Sequence, residues 1–191
     1  HDVEFFRSAG TLRGGKRDLY DGGIRVPMVA RWPGHIPAGR TSDQVWAAWD
    51  VLPTLAELAG LPPPDGIDGI SMAPTLLGLP QDRQHEFLYW EYGPQVAVRM
   101  HNWKAIQPKK DAPWELYDLN ADASETTDIA AKHPDILARM QAFAKQSHEP
   151  VRPGTFTNRT RHERDRKAKW GLTRAEADNY EGKSTESQRR T

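Results

Sequence analysis

A change of period near Glu86 constrains this chain more than any other feature. From there the sequence breaks into four short runs rich in aromatic and branched side chains: 87–92 (Phe-Leu-Tyr-Trp-Glu-Tyr), 95–100 (Gln-Val-Ala-Val-Arg-Met), 103–106 (Trp-Lys-Ala-Ile) and 114–118 (Trp-Glu-Leu-Tyr-Asp). Runs of this length and composition predict strands. His101-Asn102 provides a two-residue hairpin turn and the stretch 108–113 a longer connection, so an antiparallel meander is the economical arrangement. A sheet of four strands needs a cover on one face. Residues 134–146 supply it, with Ile136, Leu137, Met140, Phe143 and Ala144 at helical spacing.

Upstream the signals are more mixed. Residues 27–32 form a branched run closed by Pro33-Gly34, as a buried strand ended by a turn would be. Residues 50–58 read as an amphipathic helix, with Asp50 as N-cap, Pro53 in the first turn and Gly60 as the stop. The run Pro62-Pro63-Pro64 predicts an extended linker, and Ser71 caps a short helical turn through Leu77. Beyond Pro153 periodicity is lost, apart from a capping-box pattern at Thr173-Arg174-Ala175-Glu176 that predicts one short helix near Tyr180. The expected division is 1–82 as the last part of a larger domain, 83–153 as a small sheet subdomain with its helix, and 154–191 as a charged, flexible tail.

Composition limits the chemistry. The 191 residues include no Cys, which excludes a disulfide framework, a zinc ribbon and a thiol nucleophile. No apolar stretch approaches the roughly 20 residues that cross a bilayer, so no membrane span is expected. The chain starts His1-Asp2-Val3 without an initiator Met, read as truncation or cleavage. Its net charge of +0 conceals an asymmetry: residues 159–191 hold 10 Lys/Arg against 6 Asp/Glu. That tail mixes acids with a single Trp170 and lacks aromatic interleaving, so no nucleic-acid partner is expected. Asn158-Arg159-Thr160 is a glycosylation sequon by pattern. His85, His133 and His148 have no second ligand at short spacing, and no metal ligand is assigned within the chain.

The stretch 12–27 carries the chemistry: Leu-Arg-Gly-Gly-Lys-Arg-Asp-Leu-Tyr-Asp-Gly-Gly-Ile-Arg-Val-Pro. Two Gly-Gly pairs bracket Lys16. Paired glycines allow positive φ and close backbone approach, while an ammonium among them meets an anionic oxygen as a compact point charge. Gly-rich loops with a lysine are also common as solvated turns, and from the residues alone both readings stay open.

Taken whole, the stretch resembles the second signature of the sulfatases, in which Leu-Arg-Gly-Gly-Lys leads to an acidic residue, Gly-Gly, Ile-Arg-Val-Pro and a segment ending Trp-Pro-Gly. Asp21 stands where Glu is more common. Resemblance continues through Asp50-Val51-Leu52-Pro53-Thr54, Tyr89-Trp90-Glu91, Val98-Arg99-Met100, Trp103-Lys104, Glu115-Leu116-Tyr117-Asp118-Leu119 and Asp128-Ile129-Ala130, over about residues 1–150.

That resemblance implies an α/β, alkaline-phosphatase-like sulfatase fold: here the last part of its large sheet region, followed by a small four-stranded antiparallel sheet packed by a helix. It implies hydrolysis of carbohydrate or aryl sulfate esters by a formylglycine and a calcium ion. The Cys/Ser-x-Pro-x-Arg motif that yields formylglycine and the aspartates of the calcium site have no counterpart here, so both lie outside this chain, which alone is expected to be inactive. Lys16 is the catalytic position carried over, binding sulfate and stabilising charge as the ester breaks. Arg13 either contacts substrate or braces the loop. Trp90 and Glu91, ahead of Gly93-Pro94, are candidate substrate contacts. Arg25 is read as a structural ion-pair partner of Asp21. Other implied features are packing against an N-terminal part of the same protein and a periplasmic or secreted location. Two further readings stay open: a phosphoryl or phosphonate hydrolase of the same superfamily, and a non-catalytic module that binds sulfated glycans.

Overall fold

The computed structural model describes residues 3–150 and, beyond them, 164, 167, 168 and 171. The expected helix near Tyr180, the sequon at Asn158 and, apart from those four residues, the expected flexible tail lie outside the described residues. The chain divides into two compact units, His1–His148 and Glu149–Thr191. The elements described below all lie in the first.

Four strands form one antiparallel sheet in sequence order: β1 (Leu88–Tyr92), β2 (Gln95–Met100), β3 (Trp103–Gln107) and β4 (Glu115–Asp118). The register pairs Trp90 with Ala97, Val98 with Ala105, Arg99 with Lys104 and Ala105 with Leu116. The β2–β3 hairpin turns at His101, whose φ of 53° is the left-handed conformation that tight hairpin turns demand. Each predicted strand is present within one or two residues of its expected ends.

Alternation along the strands sends side chains to two faces. On one face Val98, Met100, Ala105 and Leu116 are buried against Met140 and Ala144 of the helix Pro134–Ser147, the predicted cover. Phe87 stacks on Phe143 at 4.2 Å, closing the rim of that core. Each fully buried aliphatic side chain of this kind contributes on the order of 2 kcal/mol. The other face buries Ala97, Ile106 and Tyr117 beneath Leu19 and Tyr20. The glycine-rich loop is therefore the second cover of the sheet, a role the sequence pattern does not announce.

Before the sheet come four helices, here α1 (Val3–Phe6), α2 (Asp21–Ile24), α3 (Val51–Leu58) and α4 (Ala73–Leu77), so the helix Pro134–Ser147 is α5. Two expectations are corrected here. Asp50 holds the N-cap position of α3, but its side chain makes no capping hydrogen bond there: its buried carboxylate accepts from Ala47 N at 2.8 Å and Ile70 N at 3.0 Å, and meets His85 Nε2 at 2.8 Å. It ties three segments together instead. Residues 27–32 form no strand. Val26, Met28 and Val29 are exposed, and no described segment pairs with them; a strand exists only through its ladder. Ser71 sits one residue ahead of the N-cap of α4, where its Oγ accepts from Ala73 N at 3.2 Å.

Candidate functional site

The loop that carries Lys16 is folded tightly on itself. Gly22 N donates to Arg13 O at 2.8 Å, bringing the two ends of the signature together. A Cβ at Gly22 would sit 2.4 Å from Arg13 O, and one at Gly23 would sit 2.1 Å from Asp18 O. These glycines are required because backbone passes where any side chain would collide. Gly14, at φ 78°, and Arg17, at φ 81°, turn the chain on either side of Lys16. The strained conformation at Arg17 persists because Gln95 Nε2 donates to its carbonyl at 2.8 Å, while Gln95 Oε1 accepts from Leu19 N at 3.1 Å.

Two further clamps fix the loop to the sheet. At one end, Arg13 Nη1 donates to Tyr117 Oη at 2.8 Å and to Glu125 O at 2.9 Å, with its guanidinium 3.9 Å from the centroid of the Tyr20 ring. Tyr20 Oη and Tyr117 Oη both donate to Glu115 Oε2, at 2.7 and 2.6 Å. Burial, together with hydrogen bonding to Glu115, holds both phenols above the usual tyrosine range, so they stay neutral donors.

At the other end, Lys104 on β3 is fully buried and donates from Nζ to Asp21 Oδ1 at 2.6 Å. The same ammonium lies 2.8 Å from Glu125 Oε1 as an ion pair, although neither that oxygen nor Asp21 Oδ2 accepts a hydrogen bond. Glu125 Oε2 accepts from Asp21 N at 2.6 Å. Burial raises the Glu125 carboxyl above its ordinary range, against the opposing pull of Lys104. Asp21 thus finds its principal partner in Lys104; Arg25, the partner expected from the sequence, stands 3.9 Å away and is largely exposed.

Lys16 itself is exposed at the crown of this clamped loop, and among the described residues no hydrogen bond or ion pair engages its ammonium. An immobilised backbone carrying an unpartnered cation is an arrangement suited to an incoming anion. The other candidates do not converge on it. Arg13 is turned onto Tyr20 and Tyr117. Trp90 lies on the loop-facing side of β1, packed with that core and 5.9 Å from the Trp49 ring. Glu91 points to the opposite face, accepting from Tyr89 Oη at 2.7 Å and meeting His148 Nδ1 at 2.9 Å. A separate open pocket is lined by Asp43, Gln44, His85, Arg99 and His101, with none of the four candidates among its walls.

The described residues do not fit a calcium site. No three His, Cys, Asp or Glu side chains among them converge, and the buried carboxylates of Asp21 and Glu125 already share the ammonium of Lys104. No helix among the described residues is long and apolar enough to cross a membrane.

Sequence reasoning singled out Lys16 and its glycines as candidates and assigned no role to Gln95, Glu115, Lys104 or Glu125, which hold the loop. Lys104 did leave a signal. In the alternation of β3 it shares a face with Ile106, and a lysine at an inward position requires a buried acid.

Comparison with known proteins bears on the same region. The family model described as N-sulphoglucosamine sulphohydrolase, C-terminal, matches residues 14–149. The chain is 36% identical over 176 residues to the steryl-sulfatase of Rattus norvegicus, covering 72% of this chain and 30% of the relative. It is 45% identical over 164 residues to arylsulfatase A of Homo sapiens, covering 70% of this chain and 32% of that protein. Among solved structures, Ps i-CgsB superposes with a TM-score of 0.64 at 31% identity, over 79% of this chain and 35% of that one. The same protein has been solved in complex with k-i-k-neocarrahexaose. The described α/β arrangement is thus that of the sulfatases of the alkaline-phosphatase-like fold. With 30%, 32% and 35% of their lengths covered, this chain spans about a third of each relative.

Proposed function

The chain belongs to the sulfatase family whose C-terminal model it matches, and from that premise we propose that the protein of which it forms part hydrolyses sulfate esters of carbohydrate or aryl alcohols. Residues 1–82 contribute the end of the catalytic domain, 83–153 the small sheet subdomain and 154–191 an appended charged tail. The formylglycine nucleophile and the calcium ligands belong to a part of the protein outside this chain, against which this chain packs. The whole acts in a periplasmic or extracellular setting. Alone, the chain does not turn over an aryl sulfate.

One observation carries the reading: the Lys16 ammonium stands unpartnered among the described residues, on a loop whose backbone is clamped on both sides of it. Lys16 binds the sulfate oxygens and stabilises the negative charge that gathers on the leaving oxygen as the S–O bond lengthens. Arg13 braces the loop through Tyr117 and the Glu125 carbonyl. Trp90 and Glu91, on opposite faces of β1, are separate candidates for contact with the organic part of the substrate.

In the complete enzyme, Lys16→Ala should lower kcat on an aryl sulfate by roughly two orders of magnitude, the size of a lost charge-stabilising donor. Lys16→Arg should restore little, because a planar fork does not replace a compact ammonium in a glycine-lined turn. Thermal melting checks the fold of each variant, and a phosphonate monoester assayed in parallel discriminates the reaction class. Near-wild-type kcat in the alanine variant would remove Lys16 from the chemistry.

A further inference from the structure

Lys104 occupies a position where an ammonium is costly. It is fully buried on β3, and an apolar side chain of similar volume would fill the space with less desolvation. What the charge adds is direction: Nζ points to Asp21 of the loop and to Glu125 beyond β4, at 2.6 and 2.8 Å. Glu125 is itself held at φ 52°, a conformation uncommon outside glycine that persists where surrounding contacts over-determine it. From there its carboxylate takes Asp21 N while its backbone carbonyl takes Arg13 Nη1. A single residue therefore touches the loop before and after Lys16, and Lys104 fixes that residue.

We propose that Lys104, acting with Glu125, is a positioning residue for Lys16: from the small sheet it sets both ends of the signature loop and thereby aims the Lys16 ammonium. The small sheet is then a working part of the anion site. The proposal rests on Lys16 being the sulfate-binding group. Lys104 and Glu125 are themselves buried, so they act through the loop and not on substrate.

The test is a double-mutant cycle in the complete enzyme, with Lys104→Met and Glu125→Gln each made alone and together with Lys16→Ala, assayed on an aryl sulfate. Lys104→Met should lower kcat about tenfold or more while KM changes by less than about threefold. In the Lys16→Ala background it should cost less than about twofold, because the group it positions is gone. Glu125→Gln keeps the side-chain shape and should show the same non-additivity at smaller amplitude.

A purely structural role would reduce the folded fraction by the same factor in both backgrounds, in step with the melting temperature. Fully additive losses would therefore overturn the proposal. If Lys104→Met does not fold, the Glu125→Gln cycle decides by the same criterion. A near-wild-type Lys16→Ala enzyme would instead remove the sulfate reading of the loop, and the proposal with it, whatever the Lys104 variants do.

Discussion

Residues 26–79 and 88–147 are both supplied with apolar side chains, but the first stretch buries only a few of them, Ala47, Met72 and Ala73 among them, whereas the second builds a core on each face of its sheet. Val98, Ala105, Leu116 and Met140 are fully buried, whereas Val26 is 77% and Val29 92% exposed, and Leu52, Leu55 and Leu61 also face outward. The second stretch closes on itself, because a four-strand meander with a helix on one face and the signature loop on the other satisfies its own ladder and its own core. The first has turns and the helices α3 and α4, but its extended segment has no neighbour among the described residues. Apolar sequence thus marks a surface that needs a partner as readily as one that already has it.

The sharpest way to break that comparison is to truncate one leucine on each side of it. Leu116→Ala should lower the stability of the chain by about 2–5 kcal/mol, the cost of a cavity in a closed core. Leu52→Ala in α3 should change it by less than about 0.5 kcal/mol, as exposed substitutions do. Equilibrium denaturant unfolding measures both, and comparable losses would show that Leu52 is packed as closely as the core of the sheet.

A second experiment examines the exposed surface directly. Met28→Lys and Val29→Lys should reduce hydrophobic-dye fluorescence of the chain and weaken its self-association in sedimentation, with no loss of secondary structure by circular dichroism. A chain that is monomeric at high concentration and binds no dye even without these changes would contradict the contrast between the two stretches.

The smallest effect concerns the turn that delivers Glu125. The Asp122 carboxylate accepts from Thr127 N and Thr126 N, both at 2.8 Å, and from Thr126 Oγ1 at 3.1 Å. These bonds, led by that from Thr127 N, hold its pKa below the ordinary 3.8. A carboxyl depressed by folding contributes stability at pH above 3.8 that is lost as pH falls through the lower folded value. Asp122→Asn should remove that contribution near neutral pH and flatten the acid limb of melting temperature against pH. Asp122 is only partly buried, so solvent screens the carboxylate and the change is modest. Superimposable acid limbs would detach Asp122 from the stability of the turn.

Much of the fold is legible along the chain because it is local. The strands β1 to β4, their order and the covering helix follow from period, turn residues and helical spacing, all of which act between residues close in sequence. The same holds for the glycines around Lys16, whose requirement for close backbone approach is written in the residue type.

Long-range partnership is another matter. Asp50 has the sequence position of an N-cap, yet its carboxylate serves Ala47, Ile70 and His85. Asp21 has Arg25 four residues away but binds Lys104, 83 residues distant in the chain. Nothing local distinguishes 27–32 from a strand, since what makes a strand is the hydrogen-bonded neighbour and none is within the described residues.

The sequence by itself determined the four strands, their covering helix and α3, where the hairpin turns tightly, and that one lysine sits among four glycines. The tertiary structure alone decided that the signature loop covers the second face of the sheet, that Gln95, Lys104 and Glu125 hold it there, and that Lys16 has no partner among the described residues. The physical reason is range: propensity and periodicity are set within a few residues, whereas the pairing of buried charges depends on which distant segments share a desolvated interior.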